Sequence, residues 1–286
     1  MNARPLCGVL IGHGRMGQLH ASKLAQRPDV GLSIVDPMQG LNPALPNRID
    51  FAVIATPSST HRDLALPWLE RGVPCLIEKP LSSSLKEAEQ LAQFEHVSVG
   101  HVERFNPVFS AVSWSNPGFI DIERLAPHSA RSMDIDVIDD LMIHDLDLLL
   151  SSTPGQIRSV TATGLGVASD KPDIVNARLE LDSDTGTLLT VNITASRVSE
   201  KAVRSWRVIE NGTYWSLDLL HRSVKRVGWA DGQLTPQAIA VPEWDPLTRQ
   251  HTAFLDSVRG QTRFCARGDE AVAALRLGER IRACLH

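Results

Sequence analysis

Paired cysteines are missing from this chain of 286 residues. Its four cysteines, Cys7, Cys75, Cys265 and Cys284, lie far apart and form no CxxC motif. That spacing excludes a metal knuckle and a disulfide framework, so reduced thiols packed as small apolar groups are expected and no metal is assigned. Long apolar runs are lacking too. Apolar residues make up 43% of the chain, but charges interrupt them well short of the ~20 residues that a membrane span needs. There is no basic block either: Lys and Arg are scattered and the net charge is -4. Neither nucleic acid nor a membrane is therefore expected as a partner. Met1-Asn2-Ala3-Arg4-Pro5 leads into a strand-like run with no signal-peptide core, and a cytoplasmic protein is expected. No internal repeat or low-complexity tract is present.

What is there is a regular alternation. The apolar runs Cys7–Ile11, Leu32–Val35, Phe51–Ala55, Cys75–Glu78 and Val97–Gly100 read as buried strands. Helices are expected between them at about 16–27, 60–71 and 85–94, the second disturbed by Pro67. Pro37 to Asp50 carries three prolines and a glycine, too many breakers for a crossover helix, so a loop or a short turn is expected there. Strands alternating with helices imply an α/β doubly wound, Rossmann-type parallel sheet covered on both faces. After Gly100 the texture changes. A long apolar helix at about 137–150 is followed by six strand-like runs between residues 160 and 227, punctuated by turn residues, and by closing helices at about 246–259 and 268–284. Residues 1–100 are thus read as a nucleotide-binding domain, and 101–286 as an α+β domain with a large open, mostly antiparallel sheet.

Gly12-His13-Gly14-Arg15-Met16-Gly17 follows the first strand and opens a helix. Its three glycines suit a tight turn, close approach of a pyrophosphate, and close packing of helix on strand. Asp36 ends the second strand, where a carboxylate accepts both ribose hydroxyls of NAD and repels the extra phosphate of NADP. NAD is the expected cofactor, with NADP disfavoured. Thr56, Pro57 and His61, after the third strand, are assigned to the cofactor pocket, as are Glu78 and Lys79 at the end of the fourth. Lys79, stiffened by Pro80, would face the crevice as a proton-transfer partner.

Asp140 and His144 stand four apart in the apolar helix, sharing one face. Burying a carboxylate and an imidazole there is costly unless they are paired or used. Dehydrogenation needs a near-neutral base beside the substrate oxygen, which suits His144, with Asp140 tuning it or holding a sugar hydroxyl. Asp145 and Asp147 are read as structural.

The glycine loop, Ala55-Thr56-Pro57, Glu78-Lys79-Pro80, Gly100-His101-Val102-Glu103-Arg104-Phe105-Asn106-Pro107 and Asp140-x-x-x-His144 together resemble the Gfo/Idh/MocA oxidoreductases. The resemblance implies that Lys79, Asp140 and His144 form the catalytic group and that the substrate is a sugar, an inositol or a nucleotide sugar. The Glu103–Pro107 and Asp140–Asp145 motifs look most like the branch that oxidises the 3-hydroxyl of UDP-N-acetylglucosamine, whose ketone an aminotransferase converts to an amine for lipid A variants. That likeness makes Arg104, Phe105, Asn106 and Arg131 expected substrate contacts, beside Lys79, Asp140 and His144. It also implies a homodimer or homotetramer formed through the open sheet face. A dehydrogenase of a free polyol is the nearest alternative. A dinucleotide sensor without turnover is the alternative from another class, and the intact Lys79, Asp140 and His144 argue against it.

Overall fold

The computed structural model describes residues 4–129, 135–153, 155–183, 186–230 and 232–285. They divide into two compact units, Met1–Phe105 with Asp245–Val272 and Asn106–Trp244 with Ala273–His286.

The first unit is built on five parallel strands, β1 (Leu6–Ile11), β2 (Val30–Val35), β3 (Phe51–Ile54), β4 (Cys75–Ile77) and β5 (Val97–Val99), in the order β2-β1-β3-β4-β5. The order reverses between β1 and β3, where such sheets open a crevice at the carboxyl ends of the strands. Helices α1 (Arg15–Ala25), α2 (His61–Leu69) and α3 (Leu85–Leu91) make the crossovers. Pro67 lies inside α2, and the helix ends two residues later at Leu69. The proline-rich stretch after β2 holds only a short turn, Pro37–Gln39, as its breakers require.

One expected boundary moves. Helix α6 (Pro246–Val258) belongs to the first unit, not to the second. Its Phe254 and Leu255 enter the core formed by Leu6, Leu10, Leu24, Phe51, Val53 and Leu76, and Phe254 meets Phe51 edge to face at 5.9 Å. Each such side chain contributes about 1.5–3 kcal/mol when buried, which explains why an amphipathic helix far along the chain returns to this sheet.

The second unit is an eight-stranded sheet: β6 (Phe119–Leu125), β7 (Gly155–Leu165), β8 (Ile174–Ser183), β9 (Leu188–Ser196), β10 (Val203–Glu210), β11 (Thr213–Asp218), β12 (Ser223–Ala230) and β13 (Gln233–Ile239). Its order is β13-β12-β11-β10-β6-β9-β8-β7, and β6 with β9 is its one parallel pairing among the described residues. Burial alternates along β6 and β9, so one face is apolar, with Ile120, Ile122, Val191 and Ile193 fully buried. The short α4 (Pro107–Ser110) precedes the sheet. Helix α5 (Ile143–Ser152) lies on the apolar face, and α7 (Gly268–Ala283) ends the chain.

Strand β13 was not expected. It carries Pro236 and is exposed along nearly its whole length, as an edge strand allows, and so shows no buried alternation. The long helix also differs from expectation. Ile138–Met142 forms a π turn before α5 begins. Packing accounts for the widened turn: a Cβ on Gly278 would lie 3.1 Å from Ile138, and Arg282 bonds both Asp136 and Asp139. The four cysteines are free. Among the described residues no helix is long and apolar enough to cross a membrane, and no cluster of side chains is arranged to hold a metal.

Candidate active site

The glycine loop shows three distinct demands on its backbone. Gly12 has φ 92°, and a Cβ there would meet the Ala55 carbonyl oxygen at 2.5 Å. A Cβ on Gly17 would lie 2.0 Å from the Gly12 oxygen, so helix and strand touch through it. Gly14 differs: a Cβ there meets nothing within 4 Å. The space in front of Gly14 and the N-terminus of α1, which has no side-chain cap and no acidic residue in its first turn, together suit a pyrophosphate. Of the other loop residues, Arg15 is exposed and His13 and Met16 are half-buried.

Asp36 lies beside this loop. Its Oδ2 accepts the backbone N–H of His13 at 2.7 Å, which aims the carboxylate along the crevice edge where a ribose would sit. The residues present thus fit a dinucleotide.

Beyond β3, Thr56 is half-buried and Pro57 exposed. His61 is 1% exposed. Its Nε2 lies 2.9 Å from the Thr56 carbonyl, and its Nδ1 lies 3.0 and 3.3 Å from the Pro80 and Leu81 carbonyls. Burial pushes this imidazole below its ordinary pKa, against the pull of the three carbonyls. The ring of His61 thus joins the segment after β3 to the one after β4.

Glu78 also turns inward. It is 8% exposed, and a Cβ added to Gly100 would approach its carboxylate to 2.6 Å. Oε1 lies 2.9 Å from His20 Nε2, and Oε2 accepts the Lys79 backbone N–H at 3.3 Å. Burial alone would raise its pKa, but the His20 hydrogen bond and the charges of His20, Lys79 and His61 hold it below the ordinary carboxylate value. Lys79 itself is half-buried at the carboxyl end of β4, and the Lys79–Pro80 peptide is cis.

Asp140 and His144 belong to the second unit. Asp140 is in the π turn and His144 is the second residue of α5, and both are half-buried among the fully buried Ile138, Met142, Ile143 and Leu146. A π turn inside a helix frequently marks a functional site. Asp136 starts this segment, its Oδ1 accepting the N–H groups of Ile138 and Asp139. Asp145, which follows His144 in the helix, is buried and bound to Arg124 and to Trp206 Nε1, the latter at 2.9 Å. Asp145 is structural, as the sequence suggested. Asp147, 1% exposed, is buried like it.

The expected substrate contacts meet different fates. Arg104 donates to Glu270 at 2.7 Å. Phe105 is half-buried. Asn106 caps α4, accepting the Val108 N–H, and donates to the Leu219 carbonyl at 3.1 Å. Arg131 lies outside the described residues. Sequence reasoning missed His20 and His251, which bond to each other at 2.7 Å. His20, three residues after Gly17, was the available signal, whereas nothing local singled out His251.

A glycine loop opening α1, a carboxylate after β2 and a lysine after β4 on a parallel sheet are the arrangement of an NAD-binding oxidoreductase domain. A family model described as "Oxidoreductase family, NAD-binding Rossmann fold" matches residues 30–98. The chain is 32% identical over 278 residues, 87% of each chain, to UDP-N-acetylglucosamine 3-dehydrogenase from Acidithiobacillus ferrooxidans. It belongs to the Gfo/Idh/MocA oxidoreductase family. It is also 27% identical over 252 residues, 74% of each chain, to Inositol 2-dehydrogenase 4 of Saccharopolyspora erythraea. The solved structure of the Acidithiobacillus ferrooxidans enzyme superimposes with a TM-score of 0.86 at 29% identity, covering 99% of this chain and 98% of that one.

Proposed function

We propose that this chain is a UDP-N-acetylglucosamine 3-dehydrogenase that uses NAD, with Lys79, Asp140 and His144 as its catalytic group. The observation that carries the reading is the 32% identity over 87% of both chains with the nucleotide-sugar enzyme, against 27% over 74% with the inositol enzyme.

Oxidising a secondary alcohol removes a hydride from carbon and a proton from oxygen. NAD, when bound, supplies the hydride acceptor. His144 takes the hydroxyl proton, being the side-chain type whose ordinary pKa lies nearest neutrality. Asp140 orients that imidazole or holds a neighbouring sugar hydroxyl, and Lys79 donates to the substrate oxygen as charge develops on it. Arg104 and Arg131 are the proposed diphosphate contacts, since guanidinium forks match phosphate oxygens. The product ketone suits a cytoplasmic aminotransferase, in keeping with a place in making lipid A variants. The open face of the eight-stranded sheet is the proposed surface for a homodimer or homotetramer.

The second reading is a polyol dehydrogenase, favoured by the inositol relative. Initial rates of NAD reduction with UDP-N-acetylglucosamine and with myo-inositol decide between them. The proposal expects kcat/KM to favour the nucleotide sugar by on the order of a hundredfold or more, because inositol lacks the diphosphate that the guanidinium groups would bind. Equal or better turnover of inositol favours the second reading, and binding of NAD without turnover of either substrate favours a sensor.

A further inference from the structure

Behind the Glu78-Lys79-Pro80 corner, inside the first unit, lies a line of buried titratable groups contributed by three helices. From α6, His251 Nε2 sits 2.7 Å from His20 Nδ1 on α1, and His20 Nε2 sits 2.9 Å from Glu78 Oε1. Glu78 Oε2 in turn accepts the Lys79 backbone N–H. From α2, His61 grips the far side of the same corner through the Pro80 and Leu81 carbonyls. His20, His61 and His251 are each no more than 1% exposed. Apolar side chains could fill the same space, but without His20 or His61 the Glu78 carboxylate or the Pro80 and Leu81 carbonyls would lose a buried hydrogen-bond donor.

We propose that His20 and His251 are positioning residues, which hold the Glu78 carboxylate beneath Lys79 and thereby set the placement and the electrostatic surroundings of its amine. The inference rests on the dehydrogenase reading for the role of Lys79, but not for the existence of the relay.

The hydrogen-bond inventory explains why two histidines are used. His20 must present an N–H to Glu78 through Nε2, which leaves Nδ1 to share a single proton with His251. That contact orients the His20 ring and fixes which nitrogen faces the carboxylate, as a second partner does for a metal-bound or catalytic histidine. Burial, reinforced by the charges of His20 and Arg27, pushes His251 down to about 3, so it stays neutral and can serve as this partner. The charged groups facing it are His20 and Lys23 on α1, Arg27 just after that helix, and Asp245 at the start of α6; those facing Glu78 are His20, Lys79 and His61. His251 Nδ1 has no hydrogen-bond partner among the described residues.

The test compares wild type with H251F, which keeps a ring but no hydrogen bond, and H251Q, which returns a polar atom near the Nε2 position. Two quantities are read: the kcat and KM of the dehydrogenase, and, with no substrate present, the rate at which a lysine-directed acylating reagent modifies Lys79 relative to the other lysines, by mass spectrometry. H251F is expected to lower kcat about tenfold while KM and the NAD Kd stay within about twofold, as a displaced reacting group would. It is also expected to change Lys79 labelling at least threefold, on the order of a half-unit shift in amine ionisation or more, and H251Q is expected to restore both. Folded H251F with wild-type Lys79 labelling overturns the proposal whatever the enzyme assay shows. Altered labelling in a protein that oxidises no sugar supports the relay while sinking the dehydrogenase reading. Should H251F fail to fold, E78Q keeps the His20 contact and the side-chain shape but removes the charge, and unchanged Lys79 labelling in E78Q is equally fatal.

Discussion

In the first unit the proposed site residues hang from strand ends; in the second they ride a helix. Gly12, Asp36, Thr56 and Lys79 each follow the last residue or two of a parallel strand, so the backbone of a rigid sheet fixes where they stand. Asp140 and His144 instead straddle the junction of a π turn and α5, whose position depends on the Asp145 contacts with Arg124 and Trp206 beneath it. A site of the first kind tolerates change in its side chains because the loops place it. One of the second kind depends on a few buried polar contacts, and losing one would move the whole helix.

The largest expected effect tests whether both kinds of site serve one reaction. Lys79→Ala and His144→Ala are each expected to lower kcat by about 10²–10⁴, the usual worth of a positioned proton-transfer group, with NAD affinity nearly unchanged by calorimetry. Wild-type turnover in either variant removes that residue from the catalytic group. Next comes the support beneath the helix. Asp145→Asn leaves the buried Arg124 without its counter-charge, and a loss of about 3–5 kcal/mol is expected in chemical denaturation. A loss below 1 kcal/mol would mean that α5 is held by its apolar face alone.

The strand-end site is predicted to be more forgiving. Asp36→Ala should weaken NAD by roughly 10–100-fold, the worth of a hydrogen bond to a charged group, and NADP far less. Equal losses for the two cofactors would refute the specificity argument. Smallest in its effect on folding is Gly14→Ala. With open space around the added methyl, stability should change by no more than about 0.5 kcal/mol. NAD binding should nevertheless fall, because the methyl occupies the approach of the pyrophosphate. Unchanged NAD affinity would place the phosphates elsewhere.

Acid stability sharpens the contrast further. The folded chain keeps His251 neutral down to about 3, whereas the unfolded chain takes up that proton near the ordinary histidine value of about 6.5. The unfolded state therefore binds more protons between those values. This contribution to stability is complete above pH 6.5 and falls as pH drops toward 3. His61 acts in the same direction. Comparing melting temperatures of wild type and H251F from pH 7 to pH 4 cancels the His61 part, and the wild type is expected to lose more; parallel curves would contradict the buried neutral state of His251.

How far the molecule could be read from its residues follows the same division. The glycine loop and its strand were legible because Gly12 and Gly17 answer local backbone demands, and Asp36 directly follows the next strand. The π turn was not legible, since it arises from Gly278 and Arg282 packing against a segment well over a hundred residues earlier. The His20–His251 contact joins residues 231 apart, and an amphipathic helix such as α6 does not announce which core it will cover. Asn106 shows a local role that the motif alone did not display: its side chain caps α4.

The central claim is that this chain moves a hydride from a sugar carbon to NAD. The most direct measurement supplies UDP-N-acetylglucosamine carrying deuterium at the 3-carbon and follows the label by mass spectrometry of the nicotinamide product. The account predicts one deuterium in each reduced cofactor formed by the wild type, and formation of labelled cofactor slowed by about 10²–10⁴ with Lys79→Ala. Reduced cofactor without the label, or none from the wild type at saturating NAD, would contradict it.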